Sequence, residues 1–335
     1  MIHLIKEIVN NSNFLNNLIS KRIKSFVLFF KLKNFLKEND NLIFCFDLKL
    51  SPPTLGDFLY FLILIKFCEV HGKKITLLII NDEYRESWSY LNYEEKVSLI
   101  NDYKKIFFSI FKKSKTANFS ILKFKDLDKY DSTKIFLFNK VINRVPFYQH
   151  SFNILNLLLF FKDNKFKNKV LFNRNDFDDI KIKKPDFKYI TLHLRYSKKW
   201  DLHRNITNDE FKKIYDYLNK KFPNHKIIVI SDHIGCSYFR KLSSFYNFIV
   251  YFSNEYSDGF LGSAKLVLNS DFYFQYKGGG MSVIATFSKL SYVIYLNFGQ
   301  KTNELLWLNR RLTSFANMNQ NVRKTKYFNI DLSKL

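Results

Sequence analysis

The sequence predicts an α/β protein built from two halves, each with a Rossmann-type alternation of strands and helices. Three runs rich in Ile, Leu and Phe show the plan in the first half: a strand over 42–47, an apolar helix over 58–70 and a strand over 73–80. The same succession begins again with strands over 188–194 and 226–230. At 335 residues, the chain is long enough for two such domains.

Further elements follow in chain order. We predict a helix over 92–113, strands over 119–124 and 134–138, a helix over 146–161, helices over 209–221 and 235–245, a strand over 248–252, a short helix over 258–264, one or two short strands from Val267, Leu268, Phe272 and Phe274, a strand over 292–296 and a terminal helix over 302–315.

The predicted domain boundaries follow from these elements and from one polar stretch. Residues 1–161 form the first domain, with a helical extension over 1–40. We expect this domain to bind an acceptor substrate. Residues 162–187 are charged and weakly periodic, which predicts a linker. Residues 188–335 form the second domain, which we expect to bind a donor.

Composition limits the class of protein. A hydrophobic content of 47% with 18% aromatic residues excludes a disordered chain. The formal net charge of +24 favours anionic partners, although the abundance of Lys, Asn, Ile, Phe and Tyr together also fits an AT-rich genome. Because the basic residues are spread along the chain, we do not expect nucleic acid to be a partner.

The cysteines and the apolar runs predict a compartment. Cys45, Cys68 and Cys236 are far apart in sequence, which is typical of buried thiols in a reducing environment. We see no signal peptide and no run long enough to cross a bilayer, so we expect a cytoplasmic protein. The basic amphipathic pattern of residues 1–40 predicts either a helix packed on a domain or a peripheral contact with the anionic inner membrane face.

A glycine triplet after a predicted strand is the first candidate site. Gly278, Gly279 and Gly280 permit positive φ and a close approach of the backbone to a ligand. The helical stretch 281–289 follows, with Ser282 in its first turn, and the start of such a helix can hold phosphate. The alternative is a tight turn without a ligand.

A basic loop after the strand over 188–194 is the second candidate. Arg195 and Arg204 are suited to bidentate binding of a diphosphate, and Lys198 and His193 are further candidates. For the lysine, solvation at the surface is the alternative; for His193, the alternative is a core histidine paired with backbone.

Acidic residues provide the remaining candidates. Asp232 follows the strand over 226–230 and is placed to bond a nucleotide ribose. Asp176 and Asp178 form a D-x-D pattern, but they lie in the predicted linker, where a solvated turn is the simpler interpretation. We therefore predict neither a metal nor any other cofactor.

Asp57 is the candidate catalytic base. It lies at the start of the helix after the first strand, at the sheet edge where open α/β folds bind ligands. A transfer to a hydroxyl group needs such a base. The alternative, which is compatible with that role, is that Asp57 caps its helix.

The turn Leu55–Phe58 resembles the Gly-Asp turn of the heptosyltransferase-like GT-B glycosyltransferases, in which the Asp is the catalytic base. The later glycine turn and the segment 282–296 resemble the donor domain of that family, which holds the donor diphosphate. The pair His193-x-Arg195 is similar to the H-x-R of GT-B fucosyltransferases, in which the Arg binds the donor phosphate.

The resemblance covers residues 42–300 in outline, with departures. The Asp-Ser/Thr-Gly-x-x-His motif of heptosyltransferases is absent, since Asp271 lies too far before the glycines and no His follows Gly280. The resemblance implies a GT-B-like fold with an interdomain cleft. It also implies transfer of a sugar from a nucleotide-sugar donor to a cell-surface polysaccharide, lipopolysaccharide or lipid-linked glycan. The choice of Asp57 as base predicts an inverting transfer, and the lack of a convincing metal site in the sequence predicts a transfer without a metal. A non-catalytic protein that binds a nucleotide or anion is the alternative.

Overall fold

The structure, a computed structural model, divides into two compact units. Unit 1 comprises residues 1–99 and 114–166, and unit 2 comprises residues 100–113 and 167–335. The structure describes residues 30, 33–34, 36–49, 54–82, 91–112, 114, 117–130, 135–136, 172, 174–199, 202, 205–277, 279–288, 290–299 and 326–334.

Unit 1 contains a parallel sheet of four strands in the order β3-β2-β1-β4. The strands are β1 (Asn41–Asp47), β2 (Lys74–Ile80), β3 (Ala117–Leu122) and β4 (Ile135–Phe136). Six consecutive residues of β1, from Leu42 to Asp47, are buried, as expected for the centre of a parallel sheet covered on both faces.

Two helices accompany this sheet. Helix α1 (Leu55–Val70) connects β1 to β2. Ten of its sixteen residues are buried, because the helix is apolar on all sides. Helix α2 (Tyr93–Ile110) follows β2, and its residues from Ile100 onward group with unit 2. Among the described helices, none is long and apolar enough to cross a membrane.

Unit 2 contains a parallel sheet of six strands in the order β10-β9-β8-β5-β6-β7. The strands are β5 (Tyr189–Leu194), β6 (Lys226–Ile230), β7 (Val250–Phe252), β8 (Phe272–Tyr276), β9 (Tyr292–Asn297) and β10 (Lys326–Asp331). The helices are α3 (Asn208–Lys221), α4 (His233–Phe245), α5 (Gly259–Asn269) and α6 (Met281–Thr286).

Each sheet has a point at which the direction of strand addition reverses. In unit 1, β2 and β3 are added on one side of β1, and β4 pairs on the other side. In unit 2, β6 and β7 are added on one side of β5, and β8 pairs on the other. Open α/β sheets bind ligands outside the carboxyl ends of the strands at such a switch point. The chain segments that leave β1, β5 and β8 are therefore the ones to search for a site.

The predicted α/β class with two parallel sheets is confirmed, and several elements differ from the prediction. Val267 and Leu268 belong to helix α5 and not to a strand, because they are buried on the side of a helix that continues to Asn269. Strand β10 was not predicted; it pairs in parallel with β9. The helices predicted over 146–161 and 302–315, and most of the extension over 1–40, lie outside the described residues.

Candidate active site

The register of β5 and β8 places two candidate loops side by side. Leu194 pairs with Tyr276 at the carboxyl ends of these strands. Arg195 and Lys277 are therefore the first residues of the two segments that leave these adjacent strands. Arg195 is half-buried. The basic loop and the glycine turn, which the sequence analysis singled out separately, thus begin at the same edge, at the switch point of unit 2.

The basic loop is only partly described. Lys198 is exposed, which fits both a solvated lysine and a lysine that binds an anion from solution. Arg204 lies outside the described residues. Asn205 stabilises the loop by accepting a hydrogen bond from the Ser197 N–H at 2.8 Å and donating its amide to the Ser197 carbonyl at 2.8 Å.

The left-handed residue of the glycine turn is a lysine. Gly280 has φ −55° and ψ −29°, which is helical, and Gly279 is not among the left-handed glycines, whereas Lys277 has φ +49°. Gly278 lies outside the described residues. The expectation of positive φ in the triplet is therefore wrong for Gly279 and Gly280. Instead, Gly279 provides space: a Cβ added there would meet no described atom within 4 Å.

Ser282 stabilises the shape of the glycine turn through a side-chain hydrogen bond to its backbone. Its side chain is buried, with 3% exposure, and its hydroxyl donates to the Gly279 carbonyl at 2.7 Å. Because a serine hydroxyl has a single proton, that proton is already used within the protein. Ser282 therefore contributes the shape of the turn, and a direct hydrogen bond from its hydroxyl to phosphate would require this contact to break.

His193 takes part in a hydrogen-bonded row across β5 and β8. Its Nδ1 lies 3.0 Å from the Tyr273 hydroxyl, and that hydroxyl donates to Gln275 Oε1 at 2.9 Å. Because that hydroxyl donates to Gln275, it can accept a hydrogen bond from His193 when the histidine carries its proton on Nδ1. His193 is half-buried and contacts a side-chain hydroxyl, in addition to any backbone pairing.

Asp232 is the N-cap of α4, and its Oδ1 accepts the Gly235 N–H at 2.6 Å. Gly235 has no room for a side chain, because a Cβ would lie 2.0 Å from Ser231 Oγ. The carboxylate is exposed and retains further acceptor capacity. The ribose role remains a prediction beside the observed cap.

Asp57 lies in unit 1, in the third position of α1. The cap is Thr54 and not Asp57, because Thr54 Oγ1 accepts the Asp57 N–H at 3.1 Å. The same hydroxyl donates to Asp57 Oδ2 at 2.7 Å, which fixes the orientation of a half-buried carboxylate. The segment leaves β1 at the switch point of unit 1, where open α/β sheets bind ligands.

Other reactive groups do not form a centre in the part of the chain described here. No group of three or more His, Cys, Asp or Glu residues there is arranged to hold a metal ion. All three cysteines are buried, and burial raises the pKa of the Cys68 and Cys236 thiols. These thiols are therefore poor nucleophiles.

Sequence reasoning missed two residues at this edge, Glu210 and Lys277. The Lys277 ammonium contacts both carboxylate oxygens of Glu210, at 3.3 Å and 3.2 Å. Half of the signal was visible in the sequence, because Thr207 and Glu210 have the spacing of a capping box. Its partner was not, because the pairing of β5 with β8 brings it there from 67 residues away.

Several solved structures are similar to this chain, among them the three that follow, whereas no family model and no curated protein matches it. A glycosyl transferase family 9 protein from Veillonella parvula is 11% identical, with coverage of 87% of this chain and 86% of that one and a TM-score of 0.43. The Escherichia coli heptosyltransferase WaaC with ADP is 10% identical, with 88% and 93% covered and a TM-score of 0.38. The UDP-GlcNAc 2-epimerase of Neisseria meningitidis bound to UDP-GlcNAc is 11% identical, with 85% and 94% covered and a TM-score of 0.32. All three TM-scores lie below 0.5.

Proposed function

We propose that this protein is a glycosyltransferase that moves a sugar from a nucleotide-sugar donor to a cell-surface polysaccharide, lipopolysaccharide or lipid-linked glycan. The observation that carries the proposal is the meeting of two loops at the switch point of unit 2. One loop begins with Arg195, the other leads through Lys277 into the glycine turn, and both leave adjacent strands.

The chemistry of these loops suits a diphosphate. Arg195 offers a permanent positive charge and a planar set of donors, and Arg204 and Lys198 belong to the same basic loop. At Gly279 the absence of a side chain leaves open space beside the backbone. In the proposal, these groups neutralise the charge that develops on the departing nucleoside diphosphate.

The proposed reaction is an inverting displacement. The oxygen of an acceptor hydroxyl forms a bond to the anomeric carbon of the donor as the bond from that carbon to the diphosphate oxygen breaks. The nucleoside diphosphate leaves with the electron pair, and the hydroxyl proton passes to the Asp57 carboxylate as general base. Thr54 orients that carboxylate through the hydroxyl contact at 2.7 Å. No resident metal or other cofactor is part of the proposal.

The first test is ligand binding, with Arg195→Ala and a matched arginine control. A panel of nucleoside diphosphates and nucleotide sugars is screened for a rise in melting temperature, since a ligand that binds only the folded protein stabilises it, by about 2.7 kcal/mol at a hundred times Kd. Arg195→Ala should abolish the response to the ligand that binds. Arg240→Ala should not, because Arg240 bonds Asn254 and Glu255, which belong to neither loop.

A second test uses the open space at Gly279. Gly279→Ala meets no described protein atom and needs no left-handed backbone, so the melting temperature of the free protein should stay the same. If a diphosphate lies against this turn, the added methyl group displaces it and affinity falls. Full affinity in Gly279→Ala would remove the turn from the site, and a wild-type protein that responds to no nucleotide would contradict the proposal as a whole.

The alternative is a non-catalytic α/β protein that uses the same loops to bind a nucleotide or anion. It predicts the same binding results and differs in turnover. Release of nucleoside diphosphate from a donor sugar, in the presence of acceptor glycans, separates the two proposals.

A further inference from the structure

Lys277, the first residue after β8, has a backbone conformation that lysine rarely adopts. Its φ of +49° lies in the left-handed region, where a Cβ crowds the backbone. Glycine would adopt this conformation freely, and glycines occupy the next three positions of the chain. A lysine with this backbone strain at the start of a glycine turn indicates that its side chain is needed.

The Lys277 side chain is directed into the protein. It is 10% exposed, and its Nζ lies 3.2 Å from the Asn205 carbonyl oxygen and 3.2 Å from Glu210 Oε2. The ammonium also lies 4.9 Å from the centre of the Tyr276 ring. A buried ammonium with these partners is compensated electrostatically and well oriented.

Glu210 is the point at which three segments meet. It is the third residue of α3, where its Oε2 accepts the Thr207 N–H at 2.8 Å and completes a capping box. Its other oxygen accepts the Tyr276 hydroxyl. One carboxylate thus joins the start of α3 to the end of β8, and Lys277 extends that connection to the first residue of the glycine turn.

Asn205 connects the same network to the basic loop. Its backbone carbonyl accepts from Lys277, and its side chain holds both backbone groups of Ser197, two residues after Arg195. A continuous path of hydrogen bonds therefore runs from the glycine turn through Lys277 and Asn205 to the loop that carries Arg195.

We propose that Lys277 is a positioning residue, paired with Glu210, that holds the glycine turn and the Arg195 loop in the one arrangement that accepts a diphosphate. This rests on the proposed function. The Lys277 ammonium is neutralised by Glu210, so its contribution comes through geometry and not through contact with the donor. Phosphate contact falls instead to Arg195 and to the glycine turn.

The experiment compares three methionine or glutamine variants in the full chain. Lys277→Met keeps an unbranched side chain of similar length and removes the ammonium. Glu210→Gln removes the negative charge but keeps the capping box, which glutamine also forms. Lys265→Met is the matched control, because the Lys265 ammonium bonds the carbonyls of Asp178 and Ile180, which belong to neither loop.

The expected result is a selective loss of affinity. Titration calorimetry with the nucleoside diphosphate selected by the panel should show Kd raised between about fivefold and a hundredfold in Lys277→Met and in Glu210→Gln, a usual range for coupling between groups. The double variant should lose little more than either single variant, because both break the same contact. Lys265→Met should bind as the wild type does, and Lys277→Arg, which keeps the charge, should recover part of the affinity.

A second measurement needs no ligand. Backbone hydrogen exchange of the free protein should rise in Lys277→Met at both 195–199 and 279–283, and at neither in Lys265→Met. Unchanged affinity in Lys277→Met and Glu210→Gln, or unchanged exchange in Lys277→Met, overturns the inference. A wild type that binds no nucleotide, with the exchange response present, contradicts the proposed function and the donor-site role of Lys277, and leaves only the structural link between the two loops.

Discussion

Helix α1, which follows β1, and helix α3, which follows β5, begin with the same pattern and use it differently. In α1 the cap is Thr54 with Asp57 three residues later, and in α3 the cap is Thr207 with Glu210 three residues later. Each helix follows the strand from which its sheet extends in both directions. The two acidic side chains therefore occupy equivalent positions in the two halves.

What differs is the partner of each carboxylate. Asp57 accepts the hydroxyl proton of its own cap, Thr54. Glu210 reaches one methylene further, to the backbone of Thr207, and also binds Lys277 and Tyr276 from β8 and the residue after it. The local capping pattern thus fixes where an acidic side chain lies. Contacts from the neighbouring strand then decide whether that side chain links segments of the chain, as Glu210 does, or remains suited to act as a base, as proposed for Asp57.

The largest expected effect separates these two roles. Asp57→Asn should lower turnover by about 10²- to 10⁴-fold, the contribution usual for a general base, and leave nucleotide affinity unchanged. Glu210→Gln should show the opposite pattern, with weaker donor affinity and a smaller effect on turnover at saturating donor. Steady-state kinetics with both substrates varied makes the measurement.

Either of two results would remove the contrast between the carboxylates. One is Asp57→Asn turning over donor at the wild-type rate, and the other is Glu210→Gln losing turnover at saturating donor as severely as Asp57→Asn does. A wild type that binds nucleotide but never releases product would favour the non-catalytic alternative.

The next largest effect is on the stability of the two helices that carry Asp57 and Glu210. In α1, residues 61–64 are all at most 1% exposed, so each change to Ala should cost about 2–5 kcal/mol of the free energy of unfolding. In α3, Phe211 and Ile214 are fully buried, whereas the lysines between them are exposed and should change it by no more than about 0.5 kcal/mol. Urea denaturation provides the values.

Thiol labelling assigns each loss to a unit. Cys45 and Cys68 lie in unit 1 and Cys236 lies in unit 2, and all three are buried. Burial raises the pKa of the Cys68 and Cys236 thiols, so labelling reports the opening of the unit that carries them. A uniform loss across 211–214, or no loss at some position of 61–64, would contradict the difference in burial between the helices.

A smaller effect is expected at the two caps. Thr54→Ala and Thr207→Ala should each cost about 1 kcal/mol of stability, and Ser should restore most of it, because Ser keeps the hydroxyl that accepts the N–H. Only Thr54→Ala should also lower turnover, since only Thr54 donates its hydroxyl to the proposed base. A loss of turnover in Thr207→Ala of similar size would break the comparison.

The smallest effect is expected at an exposed ion pair of unit 1. The Lys73 ammonium donates to Asp40 at 2.9 Å, and this hydrogen bond and charge lower the pKa of the Asp40 carboxyl. The stabilisation is therefore present above the ordinary pKa of Asp and disappears as the pH falls through the lowered value. Asp40 is fully exposed, so Asp40→Asn should leave the melting temperature unchanged at physiological salt. A drop in the melting temperature of Asp40→Asn as large as that of Glu210→Gln, which breaks the half-buried pair with Lys277, would show that burial is not what separates the two pairs.

Local patterns predicted most of the fold, and long-range pairing accounts for what was missed. Buried runs such as 42–47 and 226–230 are strands because their apolar residues are continuous. The sequence offered Thr207 or Asn208 as the cap of α3, and the structure has Thr207. Val267 and Leu268 misled because β-prone residues also line a buried helix face. Lys277 was not predicted as a site residue because its partner, Glu210, is distant in sequence and no local pattern indicates their contact.

Parallel pairing has a further consequence, for the order in which unit 2 acquires its shape. In all the strand pairs described, the partners run parallel, so each needs a long crossover before it can form. Thr191 on β5 reaches the carbonyl of Phe272 on β8, 81 residues along the chain. High contact order of this kind slows folding. The edge that carries Arg195 and the glycine turn should therefore mature late, and a nucleotide present during refolding should raise the yield of native protein by capturing molecules in which that edge has just closed.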